Sequence, residues 1–398
     1  MAERPFLIAG GGIGGIAAAL ALSRQGRAVH VLEQADGFGE VGAGIQLGPN
    51  VFRMFEVLGV TEAINAVAAF PDALVMKDAL SGGEVTRIPV NTDAFRDRFY
   101  YPYGVIYRPD LHDVLLDACR ASPLVELSTG CKVNGFEDRG DHVTVVTEDG
   151  QTLDGTALIG ADGLWSAVRR TLVDDGEPRV SGHIAYRAVL PAAEFPEQLR
   201  WNTVVLWAGP KTHLVQYPLR RGEIFNLVAV FHSDRYEEGW DVFGDPQELH
   251  ARFAGQHADV LTLLERIESW RMWVLCDREP IADWSRGRAT LLGDAAHPML
   301  QYLAQGACMA IEDGVCLADR VVTHGDDLAA AFRDYQSSRY LRTGRVQITA
   351  RYYGDAYHAA GVTAELRHML LSARSPEAAY DGMAWLYAGI DASGAQQL

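Results

Sequence analysis

The chain has 398 residues, 48% of them apolar, and a formal net charge of −17. This length allows a large buried core in two domains or one elaborated domain, and the acidic charge argues against nucleic-acid binding. The longest apolar runs are shorter than the ~18–20 residues of a membrane-spanning helix, and the N-terminus does not resemble a signal peptide. The five cysteines form no C-x-x-C pair, so we expect no metal site and a reducing, cytoplasmic compartment.

The first predicted unit is a strand, a glycine turn, a helix and a second strand. An apolar run leads into Gly-Gly-Gly-Ile-Gly-Gly at 10–15, and the strand after the helix ends in Glu33. Gly10 permits the tight turn, Gly12 lets the backbone approach a pyrophosphate, and Gly15 lets helix and strand pack closely. Glu33, at about the usual spacing of ~20 residues, can accept hydrogen bonds from a ribose. The unit predicts dinucleotide binding without separating FAD from NAD; the alternative is a purely structural turn.

Three further segments can approach a bound dinucleotide. Small residues dominate 42–50, which lets the backbone come close to a flat or charged group. Arg108 precedes apolar residues at helical spacing, and a cation there can reach a phosphate or sugar. A buried-looking strand at 157–160 leads to Asp162 and then to Arg169. For these residues a plain strand-to-helix turn and surface cations are the alternative interpretations.

The second half of the chain changes character twice. Residues 181–275 contain β-rich runs, which predict a mostly antiparallel sheet in a second domain. A buried strand and a small-residue turn at 289–298 then restore the α/β pattern. We therefore predict an α/β domain from 1–180 and 276–322, a sheet domain from 181–275, and a helical C-terminal region from 323 to 398.

Three motifs occur in a fixed order along the chain. They are the glycine turn with Glu33, the Asp162-Gly163 pair with Ser166 and Arg169, and Gly293-Asp294-Ala295-Ala296-His297-Pro298 with Gln305-Gly306 and Glu312-Asp313. Together they resemble the single-component FAD-dependent aromatic hydroxylases, built on the para-hydroxybenzoate hydroxylase fold, over about residues 5–350. The resemblance implies an α/β fold with a Rossmann-like FAD-binding domain, a mostly antiparallel β-sheet substrate domain, a helical C-terminal tail and no separate NAD(P)H domain.

The resemblance also implies which residues bind FAD. The acid of the third motif is expected to contact the ribityl chain, to cap a helix, or both. The helix that follows is expected to point its N-terminus at the flavin pyrimidine, where it stabilises negative charge on the reduced ring. The expected FAD-binding residues are Gly10, Gly12, Gly15, Glu33, Arg108, Asp162, Arg169, Asp294, Gln305 and Gly306.

One departure from the family pattern lies near the expected flavin. Many relatives carry a second proline shortly after the Asp-Ala-Ala-His-Pro segment, where this chain has Gln301. An amide at this place can orient a phenol or a carboxylate, unless Gln301 faces away and only shapes the loop. Leu47 is expected on the substrate-facing side of the flavin.

The implied chemistry needs a base. Such enzymes reduce FAD with NAD(P)H, add O2 to give a flavin C4a-hydroperoxide, and transfer oxygen to an electron-rich ring. Deprotonating a phenol makes its ring more nucleophilic, and histidine suits that task. On one predicted strand His213, Val215 and Tyr217 share a face, so we expect His213 to be the base, Tyr217 to bind a polar group and Val215 to line the pocket. The alternatives are a histidine on the outer face and ordinary aromatic packing.

The region around His213 resembles the salicylate and 3-hydroxybenzoate hydroxylase branch of the family. Within it we favour NADH-dependent hydroxylation of 3-hydroxybenzoate para to its hydroxyl, which gives gentisate; the alternative is decarboxylating salicylate 1-hydroxylation to catechol. A flavin halogenase is disfavoured because no Trp-x-Trp-x-Ile-Pro segment is present. A non-catalytic flavin redox sensor stays open. We expect a homodimer, and the partner of the substrate carboxylate is unassigned.

Overall fold

The computed structural model describes residues 4–39, 42–233, 243–267 and 269–396. The strands in chain order are β1 Phe6–Ala9, β2 Val29–Leu32, β3 Gly44–Leu47, β4 Ala73–Asp78, β5 Glu84–Pro89, β6 Gly104–Tyr107, β7 Val125–Ser128, β8 Val133–Asp138, β9 Val143–Thr147, β10 Thr152–Gly155, β11 Ala157–Gly160, β12 Arg179–Pro191, β13 Thr203–Gly209, β14 Thr212–Leu219, β15 Ile224–His232, β16 Arg271–Asp277, β17 Ser285–Arg286 and β18 Ala289–Leu291. The helices are α1 Ile13–Arg24, α2 Pro49–Leu58, α3 Thr61–Val67, α4 Asp93–Phe99, α5 Arg108–Arg120, α6 Ala167–Leu172, α7 Pro246–Arg252, α8 Ala258–Glu265, α9 Gly306–His324, α10 Leu328–Tyr357, α11 Gly361–Ser372 and α12 Pro376–Tyr387.

The first sheet is the Rossmann-like part of the fold. Its strand order is β17-β18-β11-β1-β2-β7, and β1 pairs in parallel with both β2 and β11. These central strands are buried throughout, as expected for a parallel sheet covered on both faces. Because the carboxyl ends of parallel strands meet at one edge, Gly10, Glu33 and Asp162 are brought to the same side.

In the described ranges, the second sheet has seven strands in the order β16-β12-β15-β14-β13-β4-β5. All its neighbours are antiparallel except β13 and β4, which are parallel. The predicted mostly antiparallel sheet is therefore confirmed. Two of its strands, β4 and β5, come from 73–89, a part of the chain that the sequence analysis assigned to the other domain. One face of the sheet packs on α7 and α8 around Trp207 and Trp270.

The C-terminal region is helical, as predicted. The long helix α10 packs against α9 and against the 3-10 turn Gln301–Leu303. The two helices are joined by buried ion pairs from Arg339 and Arg342 to Glu312 and Asp313. In the described part of the chain, no helix combines the length and the apolar character that crossing a membrane requires.

Candidate active site

A cavity of about 1100 Å³ is lined by both sheets. Its wall includes the carboxyl edge of the parallel sheet and one face of β12, β14 and β15. Sites for small molecules usually have volumes of about 300–1,000 Å³, so this cavity has room for a dinucleotide and a second small ligand. Of the predicted site residues, those on the wall are Gly10, Gly12, Glu33, Arg108, Asp162, His213, Val215, Tyr217, Asp294, Gln301, Gln305 and Gly306.

The glycine turn has the geometry that close approach to a phosphate requires. Gly10 has a φ of 103°, which is a region that side chains other than glycine rarely adopt. Gly12 is the N-cap of α1, and the first turn of this helix has neither a side-chain cap nor an acidic residue. Its N–H groups are therefore available to an anion. A Cβ at Gly15 would lie 2.0 Å from the carbonyl oxygen of Gly10.

Replacing Gly15 by alanine is expected to lower the retained FAD and to destabilise the protein by about 1–3 kcal/mol, because backbone atoms must separate. The flavin-to-protein absorbance ratio and the thermal unfolding temperature measure the two effects. Gly37→Ala is the matched control, since a Cβ there meets no atom of the described residues within 4 Å. A Gly15→Ala protein with wild-type flavin content and unfolding temperature would contradict the packing argument.

Two carboxylates at the strand ends are already fixed by hydrogen bonds. Glu33 accepts from the backbone N–H groups of Gly11 at 2.7 Å and Ala35 at 2.8 Å. Each of its oxygens keeps a further lone pair for a ribose hydroxyl. Asp162 accepts from Ser166 and from the backbone of Ala167, and burial raises its pKa. The Asp162 carboxylate thus fixes the start of α6, and Asp162 is also part of the cavity wall.

A second helix N-terminus faces the same cavity. Helix α9 begins at Gly306, its N-cap is Gln305, and its first turn has neither a side-chain cap nor an acidic residue. The Gln305 amide oxygen accepts from Asn50 at 3.1 Å, which holds this residue in place. Two helix N-termini without side-chain caps face one cavity, and Asp294 and Arg108 are also on its wall, so the site fits a dinucleotide such as FAD.

Three predicted site residues lie off the cavity wall, and they are Arg169, Leu47 and Gly15, the last of which packs against the backbone of Gly10. The Arg169 side chain is 1% exposed and binds Asp175 and the carbonyl oxygens of Ala295 and Ala296. It therefore fixes the turn after β18 instead of reaching a pyrophosphate, and its neighbour Arg170 lines the cavity. Leu47 is fully buried in β3 and does not line the cavity, whereas Gln46 does.

Buried ion pairs support the turn at 293–298, which follows β18. Asp313 accepts from His297 at 2.6 Å, from Arg339 at 2.6 Å and from the backbone of Gly293 at 3.1 Å. Burial alone would raise the pKa of Asp313, but His297 and Arg339 lower it to about 2. The carboxylate is thus ionised at neutral pH and holds the residue before Asp294 in position.

The predicted face of β14 lies on the cavity wall, with His213, Val215 and Tyr217 together. The His213 ring is 2% exposed, and its Nδ1 lies 2.7 Å from Nε2 of His358. Burial, with a smaller effect from His183, lowers the pKa of His213 to about 3, so the imidazole is neutral at pH 7. Burial raises the pKa of Tyr217, which keeps its phenol protonated.

Arg187 is the residue on this wall that the sequence analysis missed. It lies on β12, and register pairs it with Val228, which also faces Val215 of β14. The three residues therefore form one row across the sheet, and all line the cavity. Arg187 donates to the amide oxygen of Gln301, so Gln301 faces the cavity. An arginine inside an otherwise apolar predicted strand was the signal that could have identified it.

No carboxylate among the described residues pairs with Arg187. Its Nε is buried and has no hydrogen-bond partner in the described part of the chain, and its guanidinium lies 5.1 Å from the centroid of the Trp273 ring. Burial lowers its pKa to about 10, against an upward effect of Tyr217, so the side chain is charged at neutral pH. A buried cation without a counter-ion is costly unless a ligand supplies one.

Sequence comparisons identify the family of this chain and proteins similar to it. A family model described as FAD binding domain matches residues 3–346. The 3-hydroxybenzoate 6-hydroxylase of Polaromonas naphthalenivorans strain CJ2 is 49% identical over 387 residues, which cover 97% of this chain and 96% of that protein. The enzyme of the same name from Klebsiella oxytoca is 47% identical over 382 residues, 96% of each chain.

Solved structures give the same result for the fold. A salicylate hydroxylase substrate complex is similar with a TM-score of 0.82 and 25% identity, and the match covers 100% of this chain and 99% of that one. Klebsiella pneumoniae HpxO in complex with FAD and uric acid is similar with a TM-score of 0.84 and 25% identity, over 97% of this chain and 98% of that one. The predicted architecture is thereby confirmed.

Proposed function

The chain belongs to the FAD binding domain family, and on that premise we propose that it hydroxylates 3-hydroxybenzoate para to the hydroxyl group, giving gentisate, with NADH and O2 as co-substrates. Its family and its curated relatives support its assignment as an FAD-dependent aromatic monooxygenase. The substrate, the position of hydroxylation and the nicotinamide are the proposed part. The homodimer and the domain boundaries also stay predictions.

FAD, when bound, takes electrons from the reduced nicotinamide and activates O2 for transfer to the aromatic ring. The residues proposed to hold it are the glycine turn, Glu33 and Asp162 at the parallel-sheet edge, and Asp294 with the start of α9. Their uncapped N–H groups and fixed carboxylates suit the pyrophosphate, the sugar hydroxyls and the ring edge.

One observation carries the substrate proposal: a single face of the antiparallel sheet presents a cation that has no counter-ion among the described residues, together with a neutral imidazole. Arg187 lies on β12, and β15 separates this strand from β14. The strand register places Arg187 opposite Val215, which is two residues from His213 on the same face of β14. Two strand spacings make about 10 Å between backbones, a gap that the long arginine side chain and the imidazole narrow. A benzoate with a hydroxyl group can bridge it, with its carboxylate on Arg187 and its phenol on His213.

His213 is proposed as the base for the phenol. Its Nδ1 is engaged by His358, which leaves Nε2 to accept the phenolic proton. Tyr217, which stays protonated, can donate to the substrate but cannot compete for that proton. Gln301, held by Arg187, is proposed to orient the ring.

The test is to measure NADH oxidation, O2 uptake and products of the purified, FAD-loaded protein with 3-hydroxybenzoate and, separately, salicylate. Gentisate from 3-hydroxybenzoate with NADH is the expected result. Catechol from salicylate as the main reaction would instead assign the decarboxylating alternative. FAD binding with no stimulation of NADH or NADPH oxidation by either acid would contradict both and favour a redox sensor.

A further inference from the structure

Three imidazoles form a hydrogen-bonded chain that starts at the cavity. Nδ1 of His213 lies 2.7 Å from Nε2 of His358, and Nδ1 of His358 lies 3.0 Å from Nε2 of His232. His213 lines the cavity and is 2% exposed, His358 is 6% exposed, and His232 is partly exposed. Both ring nitrogens of His358 thus make hydrogen bonds to the other two imidazoles. The row of three rings runs from the cavity toward the surface.

We propose that His213, His358 and His232 form a proton relay that carries the phenolic proton of the substrate to solvent. This inference rests on the proposed role of His213. When the phenol O–H bond breaks, Nε2 of His213 takes the proton and its Nδ1 proton passes to Nε2 of His358. The Nδ1 proton of His358 then passes to Nε2 of His232, whose own Nδ1 proton goes to water. One proton leaves the phenol, one enters solvent, and each imidazole ends neutral as its other tautomer.

Burial explains why a single base is not enough. A desolvated imidazole resists holding a positive charge, and burial is the largest cause that lowers the pKa of each of the three rings. A proton left on His213 would therefore return to the phenolate. Transfer of one proton across each hydrogen bond of the three imidazoles avoids a buried imidazolium. It leaves Nε2–H of His213 donating to the phenolate.

Most of the charged groups around the three imidazoles also disfavour a positive charge on the rings. Lys211 and Arg252 face His232 and lower its pKa, while Asp355 raises it. Arg367 faces His358 and lowers its pKa, as do the other histidines. His183 packs beside the chain, and its Nδ1 is hydrogen-bonded to the hydroxyl of Tyr302. The surroundings thus hold the rings neutral without blocking transfer between them.

A metal site is the competing interpretation of this cluster. His183, His232 and His358 each offer a ring nitrogen within 4.8 Å of the others. However, both nitrogens of His358 already have imidazole partners, so a cation would have to break the chain. The hydrogen bonds account for the arrangement without a cation.

The test is proton release on substrate binding to the FAD-loaded protein, followed with a pH indicator in a stopped-flow instrument. 3-Hydroxybenzoate is expected to release about one proton per site, and 3-methoxybenzoate, which has no phenolic proton, none. His358→Asn and His232→Asn are expected to slow the release about tenfold with substrate affinity unchanged. His183→Asn is the matched control and is expected to release protons at the wild-type rate.

Each outcome separates the relay from the proposed function. Gentisate formation by the wild type together with unchanged proton release in both relay variants would overturn the relay alone. A wild type that forms no gentisate would refute the proposed function, whatever the proton measurement gives. Loss of proton release after treatment with a chelator would overturn the relay in favour of a metal site.

Discussion

His213→Gln is expected to lower the turnover of 3-hydroxybenzoate by about 10²–10⁴-fold at pH 7, the usual contribution of a general base. Glutamine keeps the polarity and approximate size of the side chain but cannot accept the phenolic proton. The hydroxyl would then stay protonated, and the ring would react more slowly with activated oxygen. Gentisate formation at saturating NADH and O2 measures the effect, and the FAD content should equal that of the wild type.

The pH profile distinguishes a lost base from a damaged pocket. An unperturbed phenol ionises near pH 10, so the deficit of the variant is expected to shrink as the pH rises from 7 toward 10. Damage to the pocket would instead reduce turnover by the same factor at every pH. A His213→Gln protein with wild-type turnover at pH 7 would refute the role of His213 as base.

The parts of the site that follow local rules were predictable from the sequence. Gly10 adopts the positive φ that its place in the turn requires, and Gly15 has no space for a Cβ. Alternation along one strand was enough to place His213, Val215 and Tyr217 on a common face. These features depend on the backbone geometry of a glycine turn and on the alternation of side chains between the two faces of a strand. Both can be recognised in a single sequence.

The parts that depend on distant neighbours were not predictable. Arg169 turns away from the cavity because Asp175 and two carbonyl oxygens bind its guanidinium. The strands at 73–89 join the second sheet through a parallel pairing with β13, and no local pattern indicates that pairing. His358 follows a C-terminal helix and reaches His213 from 145 residues away.

The proposed partner of the substrate carboxylate, Arg187, also depends on an arrangement of residues distant in the sequence. Arg187 is a candidate because of its row across the sheet, its contact with Gln301 and an Nε that lacks a hydrogen-bond partner among the described residues. Arg187→Met is expected to raise the KM for 3-hydroxybenzoate by about 10–100-fold, since hydrogen bonds to charged groups contribute about 1.5–3 kcal/mol. Turnover at saturation should fall by a smaller factor than KM rises, because carboxylate binding is lost in the ground state and the transition state alike. The part of the loss that does appear in turnover reflects the hydrogen bond from Arg187 that holds Gln301.

A neutral substrate analogue makes this prediction specific. 3-Hydroxybenzamide has the same phenol but no carboxylate, so it is expected to bind the wild type weakly and to lose less than about threefold in KM from Arg187→Met. The change in KM caused by Arg187→Met can be expressed as a free energy for each ligand. The difference between these two free energies measures the coupling between the guanidinium and the carboxylate. Arg187→Lys keeps the charge without the planar pair of donors. Its KM for 3-hydroxybenzoate should lie between the values of the wild type and Arg187→Met. Because no ion pair with Arg187 exists among the described residues, the methionine variant should unfold at or above the wild-type temperature. Equal losses for acid and amide would instead identify Arg187 as a structural residue and leave the carboxylate to another donor.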